Sequence, residues 1–587
     1  MSIFDVLSLV LGLALFLYGM DVMGDALKKS AGSRLKVILA KMTSNPLKGL
    51  LLGFGVTAII QSSSATTVMV VGFVNSGAMT LLQAVGVIMG AKIGTTVTAW
   101  LTGLSGLNSE AAGAIGWLEW LTPDGWMPIL ALIGICLIMF SKRGRKKDIG
   151  AILLGFAVLM TGMSVMSSSV SGLKESEEFA SILTMFENPI LGVVVGAVIT
   201  AIVQSSSASV GILQSLATTG KIKFGMAIPI IMGQNIGTCI TALISSIGAN
   251  KNGKRAAFVQ LYINIIGTVV FLGGFYLVKL FVDMPFVENA IDMWGIASVH
   301  SIYNIACVLL MAPFYKLLAR LAQITIRDSK EDKERINLLD ERLFETPAVA
   351  VEQSFKVTCN MANVSIDALK KSLELFESYD VKLADEIRDL EDKADKLEDS
   401  LGSYLVKLSA LSLSVADASE ITKLLHIIGD LERISDHAVN IVESAEEMRD
   451  KKLVFSAEAQ RELGIMKSAL SEITDMTRDA FVNNDVKKAE GVEPLEEIID
   501  EIRDAIKLNH VIRLQKSECT IEHGFVLSDI LNNFERVSDH CSNIAGCIAE
   551  LSVSDDNFEM HKYISSVKND GENFEKMVSE YRAKYSV

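Results

Sequence analysis

Displaced by 143 positions, residues 12–95 of this chain fall on a second copy of themselves. Gly12 meets Gly155, Gly19-Met20 meets Gly162-Met163, Asn45-Pro46 meets Asn188-Pro189, and Gly53 meets Gly196. Gln61-Ser62-Ser63-Ser64-Ala65 meets Gln204-Ser205-Ser206-Ser207-Ala208, and Gly77 meets Gly220. Met89-Gly90 meets Met232-Gly233, and Ile93-Gly94-Thr95 meets Ile236-Gly237-Thr238. No gap is needed. A repeat of this length means that one unit of structure is used twice, and any fold must accommodate both copies.

The repeated region is apolar. Half of the 587 residues are hydrophobic and the mean hydropathy is +0.38. Apolar runs lie at about 3–20, 46–77, 81–104, 127–140, 149–167, 189–219, 224–248, 256–281 and 294–319, several of them long enough to span a bilayer. The run at 127–140 is short for a span without its flanks. No small-residue cleavage site follows the first run, so it reads as a span and not a removed signal peptide. Residues 1–327 hold 22 basic and 14 acidic residues, a net of +8, whereas 328–587 hold 32 and 55, a net of −23. The two parts therefore meet different solvents. The seven cysteines have neither metal-type nor disulfide-type spacing and read as small apolar fillers.

Charge orients the copies. Lys28, Lys29, Arg34, Lys36, Lys41 and Lys48 follow the first run, whereas its counterpart is followed by Glu175, Glu177, Glu178 and Glu187, opposed only by Lys174. Basic loops stay in the cytoplasm, so equivalent segments lie on opposite sides and the repeats are inverted. Residues 141–147, Lys251, Lys254, Arg255, Lys316, Arg320 and Arg327 fall inside. Glu110, Glu119, Asp124, Asp283, Glu288 and Asp292 fall outside, with Trp117, Trp120 and Trp126 at the outer interface. The N-terminus is then outside. This works only if 46–77 and 189–219 are re-entrant hairpins with Gln-Ser-Ser-Ser at their tips. Gly90, Gly94, Gly233 and Gly237 read as helix breaks in the spans that follow.

Non-helical backbone at membrane depth persists only against protein or a wet cavity. Inverted repeats with broken helices characterise secondary transporters that hold substrate near the midplane. Two converging tips would bring two amides, six hydroxyls and free backbone N–H groups. That set suits a tetrahedral oxyanion, and the oxygens also suit a desolvated Na⁺. The structural alternative is close helix packing through small polar residues.

The motifs "QSSSATT", "QSSSAS" and "GQNIGT" resemble the signatures of the type II sodium–phosphate cotransporter family. The resemblance covers roughly residues 1–320. It implies that Gln61, Ser62, Ser63 and Ser64 pair with Gln204, Ser205, Ser206 and Ser207 to bind inorganic phosphate and transported Na⁺. It also implies that Thr66, Thr95, Asn235 and Thr238 lie near those sites. One position departs: where the family pattern repeats Gly-x-Asn-Ile-Gly-Thr, residues 90–95 read "GAKIGT", and Lys92 replaces the Asn. An ionisable group inside a span is costly and usually functional, although a lysine can also snorkel to the surface. Lys92 is expected to stand where a cation or its ligand would sit, to neutralise phosphate directly and to reduce the number of coupled Na⁺ ions.

Residues 328–587 read as soluble helix, with Pro only at 347 and 494. This part also repeats: "DLERISDHAVNIV" at 430–442 aligns with "NFERVSDHCSNIA" at 533–545. "LEDKAD" at 390–395 aligns with "LEEIID" at 495–500. Residues 340–587 are expected to form two three-helix bundles, about 340–450 and 455–560. Each Glu-x-x-x-Asp pair lies on one helical face: Glu391/Asp395, Glu432/Asp436, Glu496/Asp500 and Glu535/Asp539. A solvated acidic face is the simple reading, and facing pairs would form an oxygen-rich cation site. The segment resembles a PhoU domain. That resemblance implies a multinuclear iron, zinc or magnesium site on these eight carboxylates, with His437 and His540 behind them.

The expected architecture is all-α: a polytopic membrane domain at 1–325, with repeats at about 3–140 and 149–320, then a cytoplasmic helical domain. The expected function is Na⁺-coupled phosphate transport in a bacterial inner membrane, gated by the helical domain. A sodium-independent phosphate exporter and a membrane-anchored phosphate sensor are the alternatives. The resemblance also implies homodimers and cytoplasmic phosphate-regulation partners, and nothing points to nucleic acid. No nucleotide loop, nucleophile–base pair or zinc signature supports an enzyme.

Overall fold

The computed structural model describes residues 3–40, 46–106, 123–141, 144–177, 181, 183, 185–327, 339–376, 379–550 and 571–586. Lys41, Glu110, Trp117, Glu119, Trp120, Lys142, Arg143 and Glu178 lie outside them, as do the side chains of Arg34, Lys36, Asp124, Lys174 and Glu175. Among the described residues there is no strand, only an isolated bridge between Lys223 and Ala290. The chain divides into two units, Met1–Ala350 with Ser412–Val415, and Val351–Leu411 with Ala416–Val587.

In the first unit α1 (Ile3–Ala40), α2 (Pro46–Ile60), α3 (Ser63–Asn75), α4 (Leu81–Gly103) and α5 (Pro123–Phe140) form the first copy. The second begins with α6 (Gly144–Val170), α7 (Pro189–Val203), α8 (Ser206–Ala217), α9 (Phe224–Gly237) and α10 (Cys239–Ser245). Then come α11 (Lys251–Phe281), α12 (Met293–Met311) and α13 (Tyr315–Thr325). Among the described residues, six stretches are long and apolar enough to cross a membrane: Ile3–Ala31, Leu81–Gly106, Gly144–Leu173, Phe224–Ser245, Lys251–Phe281 and Met293–Thr325. The helices α2 and α7 have 15 residues each, and α3 and α8 have 13 and 12. At 1.5 Å per residue none exceeds about 23 Å, short of a hydrocarbon core of about 30 Å.

The sequence repeat survives as a repeat of contacts. A Cβ on Gly53 would stand 2.0 Å from the Val87 carbonyl oxygen, and one on Gly196 would stand 2.2 Å from that of Ile230. One on Gly90 would meet the Leu50 oxygen at 2.0 Å, and one on Gly233 the Val193 oxygen at 2.0 Å. The pairs α2–α4 and α7–α9 are therefore the same backbone-to-backbone, antiparallel contact made twice. Between the copies, Gly12 packs on Gly162 and Gly19 on Gly155, so the equivalent helices α1 and α6 run antiparallel.

The expected break at Gly90 and Gly94 is absent. The helix α4 runs unbroken through both, because they serve close approach: a Cβ on Gly94 would lie 2.7 Å from Thr57 Cβ. Only the second copy interrupts its helix, at Thr238 between α9 and α10.

The second unit contains α14 (Pro347–Glu374), which starts in the first unit, α15 (Val381–Ser409) and α16 (Val415–Lys451). They are followed by α17 (Ala457–Asn483), α18 (Val486–Glu490), α19 (Val492–Gln515), α20 (Ile521–Glu550) and α21 (Gly571–Lys584). Each long helix buries one stripe. On α16 it is Ile421, Leu424, Ile427, Ile428, Leu431 and Ile434, at the helical period.

Candidate functional site

Both hairpins turn in the same way. Gln61 and Gln204 end α2 and α7 in the left-handed region, with φ of 59° and 55°. Ser62 and Ser205 then cap the next helix, accepting from the N–H of Ala65 at 3.1 Å and of Ala208 at 3.2 Å. Thr57 bonds Thr66 at 3.0 Å and Thr200 bonds Ser209 at 2.8 Å across each break. A straight helix would separate residues nine apart by about 13 Å, so the chain folds back at each tip.

The tips meet. Gln61, Ser62, Ser63, Ser64, Gln204, Ser205, Ser206 and Ser207 line one cavity of 510 Å³. The N-termini of α3 and α8 therefore point first-turn N–H groups into a common space. Asp21, Asp25 and Lys28 of α1 and Glu345 share the wall, with Lys28 paired to Asp25 at 3.2 Å. The sequence reading missed these. Its available signal was two carboxylates next to an otherwise apolar run.

Glu345 arrives on a 3₁₀ turn, Glu341–Glu345, anchored by buried Asp340 and by Arg342. Asn75 Nδ2 donates to Asp340 at 2.6 Å, and Arg342 donates to the carbonyls of Ser245 at 2.5 Å and Ile247 at 3.0 Å.

The other predicted residues stand off the cavity wall. Thr66 is engaged with Thr57 and with the Ser62 carbonyl, and Thr95 bonds the Ala91 carbonyl in its own helix. Thr238 bonds the Asn235 carbonyl. Gln61 lines the wall, yet its amide is engaged: Nε2 donates to the Ala58 carbonyl at 2.5 Å and Oε1 accepts from Thr98 at 2.9 Å. Gln204 is exposed.

Lys92 is absent from the wall of this cavity. Six residues, about 9 Å of helix rise, separate it from Thr98, which touches Gln61. At that range an ammonium is worth about 2 kcal/mol per unit charge for an effective dielectric of about 20. That is a background field, weaker than a contact.

A second cavity of 350 Å³ is lined by Ser105, Met127, Met160, Ser164, Thr218 and Met293, among others. The residues Met160 and Ser164 of α6 are the equivalents of Leu17 and Asp21, which line the first cavity. The helix α8 lines the first cavity with its first residues and reaches the second with its last.

In the second unit the eight predicted metal ligands stand as facing pairs. Among the described residues, no three His, Cys, Asp or Glu side chains form a group able to hold a metal ion. In the first bundle, burial and the Asp436 carboxylate push Glu432 up to about 7, and the same two causes raise Glu391. Asp395 sits one turn from Glu391. In the second bundle Arg503 lies 2.9 Å from Asp500 and 3.0 Å from Glu535, so a guanidinium already balances that pair. Burial and Glu535 raise Asp539, and Glu496 lies one turn before Asp500 on α19. Among the described residues the carboxylates do not gather into a group of three or more ligands, and in one bundle they face an arginine.

His437 and His540, each next in sequence to a predicted carboxylate, also join the two repeats. His437 Nδ1 bonds Asn533 at 2.8 Å, His540 Nδ1 bonds Asp430 at 2.9 Å, and the rings lie 5.7 Å apart. Partner and counterpart exchange across α16 and α20, as in a local two-fold contact.

Comparison with known proteins agrees with this geometry. Residues 15–168 and 158–283 match the Na+/Pi-cotransporter family model, and residues 358–445 and 463–548 match that of the PhoU domain. YjbB of Escherichia coli (strain K12), named as a candidate inorganic phosphate export protein, is 24% identical over 568 residues, covering 94% of this chain and 98% of that protein. Human sodium-dependent phosphate transport protein 2B is 32% identical over 218 residues, covering 34% of this chain and 30% of that protein. The uncharacterised YqeW of Bacillus subtilis is 28% identical over 312 residues, 53% of this chain and 95% of that protein. No solved structure matches significantly. The chain therefore joins a Na+/Pi-cotransporter-family membrane domain, matched twice along its length, to a pair of PhoU domains.

Proposed function

We propose that the first unit moves inorganic phosphate across a bacterial inner membrane by alternating access around the paired Gln-Ser-Ser-Ser tips. The observation that carries this reading is the convergence of both motifs, each at a helix N-terminus, on one 510 Å³ cavity. Charge-assisted hydrogen bonds contribute about 1.5–3 kcal/mol each. A helix end contributes about 0.3–1 kcal/mol. The serine hydroxyls and Gln204, more than the helix dipoles, therefore set selectivity for a tetrahedral oxyanion. The antiparallel pairing of α1 with α6 supports inverted repeats, and the short α2, α3, α7 and α8 support re-entrant hairpins. Equivalent faces of α1 and α6 line the two cavities, as two alternately opened vestibules would require. The basic loops favour an outside N-terminus and cytoplasmic PhoU domains, which regulate transport in this reading.

Coupling has two readings, each with its own observation. Sodium symport is favoured by the sodium-dependent relatives and by Asp21, Asp25 and Glu345 on the wall, which would repel phosphate unless a cation accompanied it. Sodium-independent export is favoured by the export name of a relative that covers nearly the whole chain. Radiolabelled phosphate flux in proteoliposomes, with and without a Na⁺ gradient, tests both. Flux that collapses when choline replaces Na⁺ selects symport, and flux that persists selects export. Phosphate binding with no flux in either condition removes the transport reading and leaves a sensor.

A further inference from the structure

Lys92 and Asn235 occupy equivalent positions in the two copies, 143 residues apart, and they touch: Lys92 Nζ donates to Asn235 Oδ1 at 3.1 Å. Equivalent residues meet one another at the axis that relates two copies. The same ammonium donates to Asn264 Oδ1 at 2.5 Å and lies 4.9 Å from the centre of the Tyr303 ring. Both amides have their nitrogens held elsewhere. Asn235 Nδ2 donates to the Ile231 carbonyl at 2.9 Å and Asn264 Nδ2 to Cys239 Sγ at 3.1 Å. Their oxygens are thereby turned toward Lys92. Two neutral amide oxygens and an aromatic face form a seat for a monovalent cation, and the lysine head fills it. The helices α4 and α9 to α12 contain no Asp or Glu, so none of them supplies a carboxylate to balance the charge.

We propose that Lys92 is a tethered cation occupying a seat that a free Na⁺ would take if residue 92 were Asn, so that phosphate transport here needs no Na⁺ at this position. This rests on the phosphate-transport reading above and adds a coupling role for Asn235, Asn264 and Tyr303. The seat is separate from the serine cavity, and any Na⁺ held beside Asp21 or Glu345 would be additional to it.

The test uses the full chain in proteoliposomes, with phosphate flux measured as Na⁺ is replaced by choline, for wild type, K92N and K92N/N264L. Opening the seat should give K92N a Na⁺ requirement beyond that of wild type, about tenfold in flux for a site worth about 1.4 kcal/mol. Removal of the Asn264 oxygen in K92N/N264L should abolish that gain. A binding readout runs beside it: exchange of KCl for NaCl should raise the melting temperature of detergent-solubilised K92N more than that of wild type. K92Q, which keeps a longer amide, takes the place of K92N if the latter does not fold. Equal Na⁺ dependence and equal thermal shifts in wild type and variant would overturn the proposal. A wild type that moves no phosphate under any cation would instead remove the transport reading, and the thermal shift alone would then decide whether the seat exists.

Discussion

Gln61 and Gln204 occupy the same place in two copies of one motif and share the same left-handed backbone, yet their side chains do different work. Thr98 and the Ala58 carbonyl hold the Gln61 amide in place, whereas Gln204 is exposed. The reason lies in the following helix. Thr98 sits on the unbroken α4, but its equivalent Thr241 follows the break at Thr238 and faces Ser64 at 3.5 Å. Gln204→Ala should therefore remove a ligand, raising the KM for phosphate about tenfold, as the loss of one charge-assisted hydrogen bond would, with little change in melting temperature. Gln61→Ala should lower both maximal flux and stability, by about 1–3 kcal/mol, because it leaves the Thr98 hydroxyl and a hairpin carbonyl without their partner. Flux kinetics and thermal unfolding of the two variants check this, and identical behaviour would contradict the assignment. The motif as a candidate site was legible at this scale. Which of its two amides is free was not, since that depends on a hydroxyl 37 residues away.

At the scale of elements, the repeated glycines were legible as important but not for the right reason. In α4 they mark where two backbones touch, and the helix continues through them. A helix tolerates Gly at a cost of about 1 kcal/mol relative to Ala. Packing recovers this only where a neighbour comes too close for a Cβ. Two glycines of α2 separate these effects. Gly53→Ala would push a methyl to within 2.0 Å of the Val87 oxygen, and backbone cannot rotate away, so a loss of about 3 kcal/mol or more is expected. Gly55 has no atom within 4 Å of its would-be Cβ, and Gly55→Ala should be neutral or stabilising by up to about 1 kcal/mol. Thermal unfolding in detergent distinguishes them, and equal effects would refute the close-approach argument. The Glu-x-x-x-Asp pairs show the opposite case. Their helical spacing was legible, but the guanidinium of Arg503, which comes from the following turn of α19 to face Asp500 and Glu535, was not.

At the scale of the molecule, the proposed inversion of the two copies makes a direct demand on topology. Leu47 and Ile190 are equivalent first-turn residues of α2 and α7, exposed to 65% and 69%. With every native cysteine replaced, I190C should react with a membrane-impermeant maleimide added to whole cells, and L47C only after permeabilisation. Labelling of both from the same side would rule out inverted repeats. The sequence by itself determined that a unit is built twice, that its two polar tips are set within apolar sequence, and that an acidic helical part follows. Those properties depend on periodicity, hydropathy and charge, which are local and additive along the chain. Only the tertiary structure decided that the tips share one cavity, that Asp21, Asp25, Lys28 and Glu345 border it, and that Lys92 meets its own counterpart Asn235 instead. Those depend on which helices approach within a few ångströms, a matter of packing between residues up to hundreds of positions apart.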